Sequence, residues 1–283
     1  MKKKVSIEKL SVVVCSKNEE LRINRCLKSI LINRPDEIIV VDGGSVDKTI
    51  NVIRKFKVRL INSKNSNLSR DRQIGLDLAK NNFVAMIDCD HLLKKNQLKR
   101  MLTELKKNKF AIIQAQIDIK DLDFWTRAEK NCLDLVQNIP GVKKQMIGTA
   151  PNIYDKSKLK KIRFSGKITK TIDDTDYFYN ASKKNIKFGV GKEKITSIHE
   201  KGFLKYVKKF LWYGKGDAEF CFKHKTRTLS MLYHLCVRYS VIYPLLSILN
   251  FKFSSAFFFI IQGLTRFLSL VINLFKIYLK NLV

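Results

Sequence analysis

The sequence predicts an α/β fold in which helices flank a mostly parallel sheet, followed by an apolar helical region. The runs Leu10–Cys15, Glu37–Val41 and Phe83–Ile87 are nearly continuously apolar, as in strands that are buried on both faces. Each run leads into a polar cluster and then into apolar residues at helical spacing. This alternation of strand and helix is typical of a parallel sheet covered by helices.

The remaining elements follow in chain order. Shorter apolar runs predict strands at 58–61, 110–117, 145–154, 186–190 and 194–198. Helical spacing predicts helices at about 21–31, from the Thr49 region to Phe56, and at 69–80, 95–107, 124–138 and 173–182. We therefore expect one α/β domain over residues 1–200, a basic segment over 201–228, and a hydrophobic tail over 229–283.

Composition and charge limit the possible partners. Lys and Arg outnumber Asp and Glu by 55 to 25, a net charge of +30, which favours an anionic partner such as nucleic acid, a phosphorylated substrate or anionic lipid. The six cysteines are scattered, which argues against a zinc site or a disulfide framework and suits a reducing compartment. Met1–Lys4 is basic but no long apolar stretch follows it, so we expect no signal peptide and a cytoplasmic amino-terminal part.

The segment 201–228 and the tail suggest contact with lipid. Lysines surround an aromatic stripe that ends at Trp212, which describes either a helix lying in a membrane interface or an ordinary helix packed on the domain. The stretches 229–249 and 256–275 each have about the 20 residues that a membrane span needs. Arg266 would cost about 2.5–3.5 kcal/mol at the bilayer centre, and Pro244 disrupts the first stretch. We expect helices embedded in or lying on one leaflet, with true spanning as the alternative.

Polar signatures follow three of the predicted strands. They are Asn18-Glu19, then Asp42-Gly43-Gly44-Ser45, and finally Asp88-Cys89-Asp90. A parallel sheet gathers these strand ends at one edge, where ligands bind. Gly43 and Gly44 let backbone approach a ligand closely, and Asp42 is a potential acceptor for a base or ribose. Asp88 and Asp90 lie on one face and would repel each other unless a cation or sugar hydroxyls stood between them.

In this order and at these spacings the motifs resemble those of family-2 glycosyltransferases, which have the GT-A fold. The resemblance covers about residues 10–200 and includes Asn18-Glu19, the run from Asp42 to Thr49 without departure, Arg72-Gln73-Ile74-Gly75, Asp88-Cys89-Asp90 and Asp173-Asp174. The chain departs from the family pattern at three positions: Gln73 replaces Asn, Asp173 replaces Glu, and Asn185 replaces the usual Gly.

The resemblance implies roles for individual residues. Asp174 would be the general base, and Asp90 would bind Mg²⁺ or Mn²⁺, with His199 as either a third metal ligand or a structural histidine. The nucleotide-sugar would be bound by Asn18, Glu19, Asp42, Gly43, Arg72, Asp88 and Asp173. Helix capping is an alternative role for Asp173, and the one favoured for Asp176.

The implied activity is inverting transfer of one sugar from a UDP- or GDP-sugar to a glycan or polyprenyl-linked acceptor, at the cytoplasmic face of a membrane with anionic lipid. Only Trp212 remains of the Gln-x-x-Arg-Trp element of processive members, which favours a non-processive enzyme. Two alternatives are a basic nucleic-acid-binding protein and a nucleotidyltransferase of the same fold. The carboxylate-rich cleft and the lipid-seeking tail argue against nucleic acid as a partner, and Ser16–Glu19 is not the Gly-rich basic turn that a nucleotidyltransferase would need.

Overall fold

The computed structural model describes residues 9–64, 66–120, 123–144, 146–159, 161–166 and 171–280. Its strands are β1 (Leu10–Ser16), β2 (Glu37–Asp42), β3 (Arg59–Asn62), β4 (Phe83–Asp88), β5 (His91–Leu92), β6 (Ile112–Ile119), β7 (Gly141–Lys143), β8 (Asn152–Asp155) and β9 (Phe188–Ser197). Its helices are α1 (Ile23–Leu31), α2 (Thr49–Ile53), α3 (Leu68–Leu78), α4 (Gln97–Lys107), α5 (Phe124–Val136), α6 (Asp173–Lys183), α7 (Phe203–Lys223), α8 (Thr228–Tyr233), α9 (Tyr243–Leu249) and α10 (Phe253–Lys280). A π-helical segment, His234–Ile242, joins α8 to α9.

The α/β class predicted from the sequence is confirmed. Strands β3, β2, β1 and β4 lie in that order and form a parallel half-sheet. Every residue of β1 is buried, as its apolar composition predicts for a central strand covered on both faces. The register sets Ser16 opposite Asp42 and Cys15 opposite Asp88, so that two of the predicted site carboxylates flank the carboxyl end of β1.

The other half of the sheet is mixed. Strand β8 lies antiparallel between β4 and β6, while β9 runs parallel to β6 and antiparallel to β5 and β7. The sheet is therefore less uniformly parallel than we expected. Strand β8 begins at Asn152, later than the predicted start at residue 145.

The two strands predicted at 186–190 and 194–198 are one continuous strand, β9. The register of β6 and β9 shifts between Gln114 and Gln116, where the ladder loses backbone partners. Side chains replace them: Gln116 Nε2 donates to the Gly191 carbonyl over 3.0 Å, and the Lys192 N–H donates to Glu104 Oε2 over 2.9 Å. These bonds keep β9 continuous through a polar stretch, which from the sequence was expected to separate two strands.

The last third of the chain packs onto the α/β domain through a core of its own. Helix α10 contacts α7, α5, α9 and the π-helical segment. Within this core Arg266 of α10 forms an ion pair with Asp217 of α7, with nitrogen–oxygen distances of 2.9 and 2.7 Å. Asp217 is fully buried and Arg266 is 9% exposed. Gly214 permits the close approach of α7 and α10, because a Cβ there would lie 2.5 Å from Ser269 Cβ.

Two helical stretches in this region are long and apolar enough to cross a membrane, judged by length and composition. They are Lys225–Leu249, with a mean hydropathy of 1.3, and Phe253–Lys280, with a mean hydropathy of 1.7. Within an apolar window of 18 residues, 44% of the second stretch and 22% of the first are buried in the protein. Helix α7 buries Tyr206 and Phe210 against them but leaves Leu204 71% exposed and Trp212 42% exposed. One face of α7 is thus packed on the protein and the other is open.

Candidate active site

The loop after β2 is held by Asp42. One carboxylate oxygen of Asp42 accepts from the backbone N–H groups of Gly44 and Ser45, at 3.1 and 2.8 Å. The other accepts from the hydroxyls of Ser16 and Ser45, at 2.9 and 2.6 Å. These four bonds fill the acceptor capacity of the carboxylate. In this conformation Asp42 fixes the loop, and its contact with a base or ribose stays a prediction.

The Asn18-Glu19 turn is tied to the same loop. The Asn18 side chain accepts from the Val46 N–H at 2.9 Å, and the Glu19 N–H donates to the Thr49 hydroxyl at 2.7 Å. The Glu19 carboxylate pairs with Arg22, and its pKa is raised because burial outweighs that pairing. The turn residues therefore lock the ends of β1 and β2 together.

Asp71 is a polar residue of this region that the sequence analysis missed. It is 4% exposed, and its Oδ1 has no hydrogen-bond partner. A Cβ at Gly43 would lie 3.0 Å from Asp71 Oδ2, so the carboxylate reaches the loop that Asp42 fixes. Burial raises the pKa of Asp71. Its only sequence signal is its place directly before Arg72, on the buried side of α3.

Arg72 joins two of the predicted site carboxylates. Its Nη1 lies 2.7 Å from both oxygens of Asp173, and its Nη2 lies 3.4 Å from Asp88. Arg72 and Asp173 are both buried, so their pairing compensates two charges that would otherwise be costly to desolvate. Neither Asp173 nor Asp176 caps α6, contrary to that alternative, since the cap position is Ile172.

Asp88, Asp90 and His91 form a cluster that fits a divalent cation. One potential ligand atom from each lies within 4.8 Å of the others. His91 was not predicted from the sequence, where its only signal is that it follows Asp90 directly. The hydroxyl of Ser197 donates to Asp90 at 2.8 Å. Burial alone would raise the pKa of Asp90, but His91 and this hydrogen bond hold it below its usual range.

His199 lies beside the cluster. Its Nε2 lies 4.0 Å from Asp90 Oδ2, and its Nδ1 contacts the carboxylate of Glu129. Glu129 also accepts from Tyr206 at 2.7 Å and from Lys209 at 2.9 Å. Burial would raise the pKa of Glu129, but Lys209 and His199 hold it well below its usual range. A histidine oriented by a carboxylate, with its other nitrogen directed at an acid, is the arrangement found around bound metals.

Asp174 lines the same cavity as Asp88, Asp90, Asp173, Arg72 and His199. This cavity has a volume of about 380 Å³. Burial, reinforced by the neighbouring charge of Asp173, raises the pKa of Asp174 to about 6. A carboxyl poised near neutrality is suited to general base catalysis. Asn18, Glu19, Asp42 and Gly43 do not line this cavity; they lie at the adjoining ends of β1 and β2.

The C-terminal helices complete the wall of the cavity. From α10 come Phe258, Phe259, Gln262 and Arg266, while the π-helical segment contributes Tyr239 and α7 contributes Trp212 and Tyr213. From the sequence the stretches 229–249 and 256–275 were expected to contact lipid, and the α7 segment was left open between a membrane interface and packing on the domain. Their participation has no local sequence signal, because it depends on contacts between segments far apart in the chain.

Residues 11–167 match the family model for glycosyl transferase family 2. The chain belongs to glycosyl transferase family 2. The matched range contains the first three polar strand ends but stops before α6, so it includes neither Asp173 nor Asp174.

Curated relatives of this glycosyltransferase domain act in different settings. The chain is 26% identical over 177 residues to a dodecaprenyl-phosphate galacturonate synthase of Rhizobium johnstonii, covering 58% of this chain and 52% of that protein. It is 29% identical over 117 residues to the poly(ribitol-phosphate) β-N-acetylglucosaminyltransferase TarP of Staphylococcus aureus, covering 38% and 36%. The chain spans about a third of the length of an uncharacterized glycosyltransferase of Haemophilus influenzae (33%) and of the putative glycosyltransferase EpsH of Bacillus subtilis (29%).

Solved structures share the fold. The structure of S. aureus TarS residues 1–349 has a TM-score of 0.52 with 16% identity, covering 91% of this chain and 89% of that one. Its complex with UDP-GlcNAc has a TM-score of 0.51 with 20% identity, covering 75% and 66%. At this level of identity the likeness establishes the glycosyltransferase fold.

Proposed function

We propose that this family-2 protein is an inverting glycosyltransferase that moves one sugar from a UDP- or GDP-sugar to a glycan or polyprenyl-linked acceptor. The observation that carries the proposal is the single 380 Å³ cavity that brings the Asp88–Asp90–His91 cluster and the perturbed carboxyl of Asp174 together. A cation-binding group and a base that line one cavity suit the two ends of a displacement at the anomeric carbon.

The donor would be held at the ends of the parallel strands. Asp42 and Asn18 hold the Gly43–Ser45 loop, whose backbone can approach a nucleotide closely. Asp71 lies against Gly43 and would help to keep this loop in place. Asp88 would contact the ribose or the sugar, and the Arg72–Asp173 pair would keep it in place.

Asp88, Asp90, His91 and His199 would hold Mg²⁺ or Mn²⁺. Carboxylate oxygens suit both ions, and imidazole nitrogens suit Mn²⁺ better than Mg²⁺. When bound, the ion supplies positive charge for the diphosphate of the donor. Glu129 would keep the Nε2 of His199 directed towards Asp90.

Asp174 would take the proton from the attacking hydroxyl of the acceptor. That oxygen forms a bond to the anomeric carbon as the bond to the nucleoside diphosphate breaks, so the configuration inverts. The raised pKa of Asp174 makes its carboxylate a stronger base than an ordinary aspartate while leaving it ionised above pH 6.

We also propose that the enzyme works at the cytoplasmic face of a membrane. The net charge of +30 and the exposed apolar side chains of α7 to α10 support attraction to an anionic lipid surface. Helix α10 would lie against the bilayer with one face, because its other face packs on the catalytic domain.

The test is metal-dependent hydrolysis and transfer with purified protein and a panel of UDP-, GDP- and dTDP-sugars. Asp90→Ala should abolish both donor hydrolysis and transfer without changing binding to vesicles. Asp77→Ala, on the exposed part of α3, is the matched control and should remain active. Full activity of Asp90→Ala would overturn the metal assignment, and a wild-type protein that turns over no nucleotide-sugar would overturn the function.

A further inference from the structure

A second cavity adjoins the catalytic one. It has a volume of about 420 Å³ and lies between α6 on one side and α7, α8 and the π-helical segment on the other. The two cavities share Met146, Thr175, Tyr239 and Arg266 as lining residues. Because Thr175 directly follows Asp174, the second cavity begins one residue from the proposed base. A molecule bound there would have direct access to the site of sugar transfer.

The second cavity is strongly positive. Its lining includes Lys144, Arg227, Arg238 and Arg266, and no carboxylate belongs to the lining that the structure describes. Arg266 is neutralised by Asp217. Over the described residues, Lys144, Arg227 and Arg238 have no carboxylate partner, and the buried Nε of Arg227 has no hydrogen-bond acceptor. Buried or half-buried guanidinium groups without acceptors favour an anionic ligand.

Aromatic rings hold the two arginines in place. The Arg227 guanidinium lies 5.4 Å from the ring centre of Tyr179, and that of Arg238 lies 5.7 Å from the ring centre of Tyr243. A ring packs against each guanidinium, and among the described residues neither group has a carboxylate partner that would occupy its N–H groups. Planar N–H edges of this kind recognise phosphate oxygens in pairs.

An exposed apolar ridge leads away from this cavity along the helix. Leu229 is 80% exposed, Tyr233 51% and Val237 36%, and they follow one another at intervals of four residues. Tyr233 itself lines the cavity. A ligand that joins a phosphate to a hydrocarbon chain would match both features, with its charge in the cavity and its chain on the ridge. A soluble phosphate would leave the ridge unused.

We propose that the second cavity binds the phosphate of a lipid-linked acceptor and thereby directs the acceptor hydroxyl to Asp174. This proposal rests on the proposed function, since it assigns the acceptor side of the same reaction. It makes Arg227 and Arg238 binding residues for the acceptor, with no part in the chemistry of the donor.

The experiment measures binding of geranylgeranyl phosphate to the full-length protein in detergent, with geranylgeraniol and a soluble glycerol-phosphate oligomer as comparison ligands. Arg227→Gln/Arg238→Gln should weaken the affinity for geranylgeranyl phosphate at least tenfold, because two charge-assisted contacts are lost. Arg25→Gln/Arg54→Gln removes the same charge from exposed positions and should change the affinity less than twofold. Lysine at both positions should restore part of the loss.

Donor hydrolysis, measured in parallel, separates this proposal from the proposed function. The Arg227/Arg238 variant should hydrolyse donor at the wild-type rate, which also shows that it is folded. The phosphate site would be overturned if both double variants bound geranylgeranyl phosphate with equal affinity. It would also be overturned if the wild-type protein bound geranylgeraniol as tightly as geranylgeranyl phosphate. Arginine-dependent binding of the glycerol-phosphate oligomer as tight as that of the prenyl phosphate would overturn the lipid source. Failure of every protein to hydrolyse any donor would overturn the function but not the binding result.

Discussion

Asp174→Asn should inactivate the enzyme and stabilise it at the same time. The carboxyl pKa rises from an ordinary 3.8 to about 6, a destabilisation of the ionised form by at most about 3 kcal/mol. Because Asp174 borders a cavity that water can enter, we expect about 1–2 kcal/mol. Asparagine retains the oxygen that accepts from the Thr175 N–H at 2.7 Å but carries no charge. The variant should therefore melt roughly 2–6 °C above wild type at pH 7.5.

The contribution of Asp174 to folding stability depends on pH in a direction that follows from its raised pKa. Asp174 binds its proton more tightly in the folded protein, so folding stability falls as pH rises from about 4 to about 6 and is level above that. The difference in melting temperature between variant and wild type should accordingly be about half its full size at pH 5 and reach its full size by pH 7.

The assays are thermal denaturation of both proteins across pH 5–8 without metal, and transfer under saturating donor. Transfer should fall by about 10²–10⁴-fold in the variant, and wild-type kcat/KM should decline below about pH 6 as the base is protonated. Asp77→Asn is the control and should change neither the melting temperature nor the rate of transfer. A variant that melts below wild type at pH 7.5, or that keeps a tenth of the transfer activity, would refute the reasoning.

Three other perturbations test the surroundings of the site. Glu129→Gln should weaken Mn²⁺ affinity about 10–100-fold in titrations of donor hydrolysis, because it loosens the orientation of the neighbouring histidine. Arg266→Met should lower the free energy of unfolding by about 3–5 kcal/mol in denaturant melts, because it leaves Asp217 buried without a partner, and Asp217→Leu in the same protein should recover most of that loss. Gly214→Ala should cost about 1–3 kcal/mol in the same melts, since its Cβ would lie 2.5 Å from that of Ser269.

Each of these has a contrary outcome. Unchanged Mn²⁺ titration in Glu129→Gln would remove the reason to include a second histidine in the metal site. A double variant of Arg266 and Asp217 that is no more stable than Arg266→Met would show that the pair is not what the single change disrupts. Wild-type stability of Gly214→Ala would mean that α7 and α10 separate more easily than their packing indicates.

The strands nearest the site were predictable from the sequence because burial on both faces leaves a continuous apolar run. Strands β1, β2 and β4 carry such runs, and their polar ends are adjacent in the register. Strand β9 was predicted as two because the side chains of Gln116 and Glu104, which bridge its irregular part, belong to distant segments. Pairings of that kind have no periodic signature.

The lack of a local sequence signature also explains which residues of the candidate site could not be predicted from the sequence. Asp88, Asp90 and Asp174 belong to motifs with fixed spacing, whereas His91 needs the local geometry after β4 to show that it faces Asp90. Arg266 was interpreted as a cost of membrane insertion, because its partner is 49 residues away in the chain. Only the folded structure shows that this charge is neutralised inside the protein.

Because α10 packs against the cavity, its packing also determines when the cavity closes during synthesis of the chain. The residues of the parallel half-sheet precede α7 to α10 in the chain and can fold while those helices are being translated. The cavity wall that carries Arg266 follows Asp217 by 49 residues and is translated after the strands of the candidate site. A nascent chain therefore has the strands of the candidate site well before it has a closed cavity, and any activity that needs the closed cavity must wait until α10 has been made.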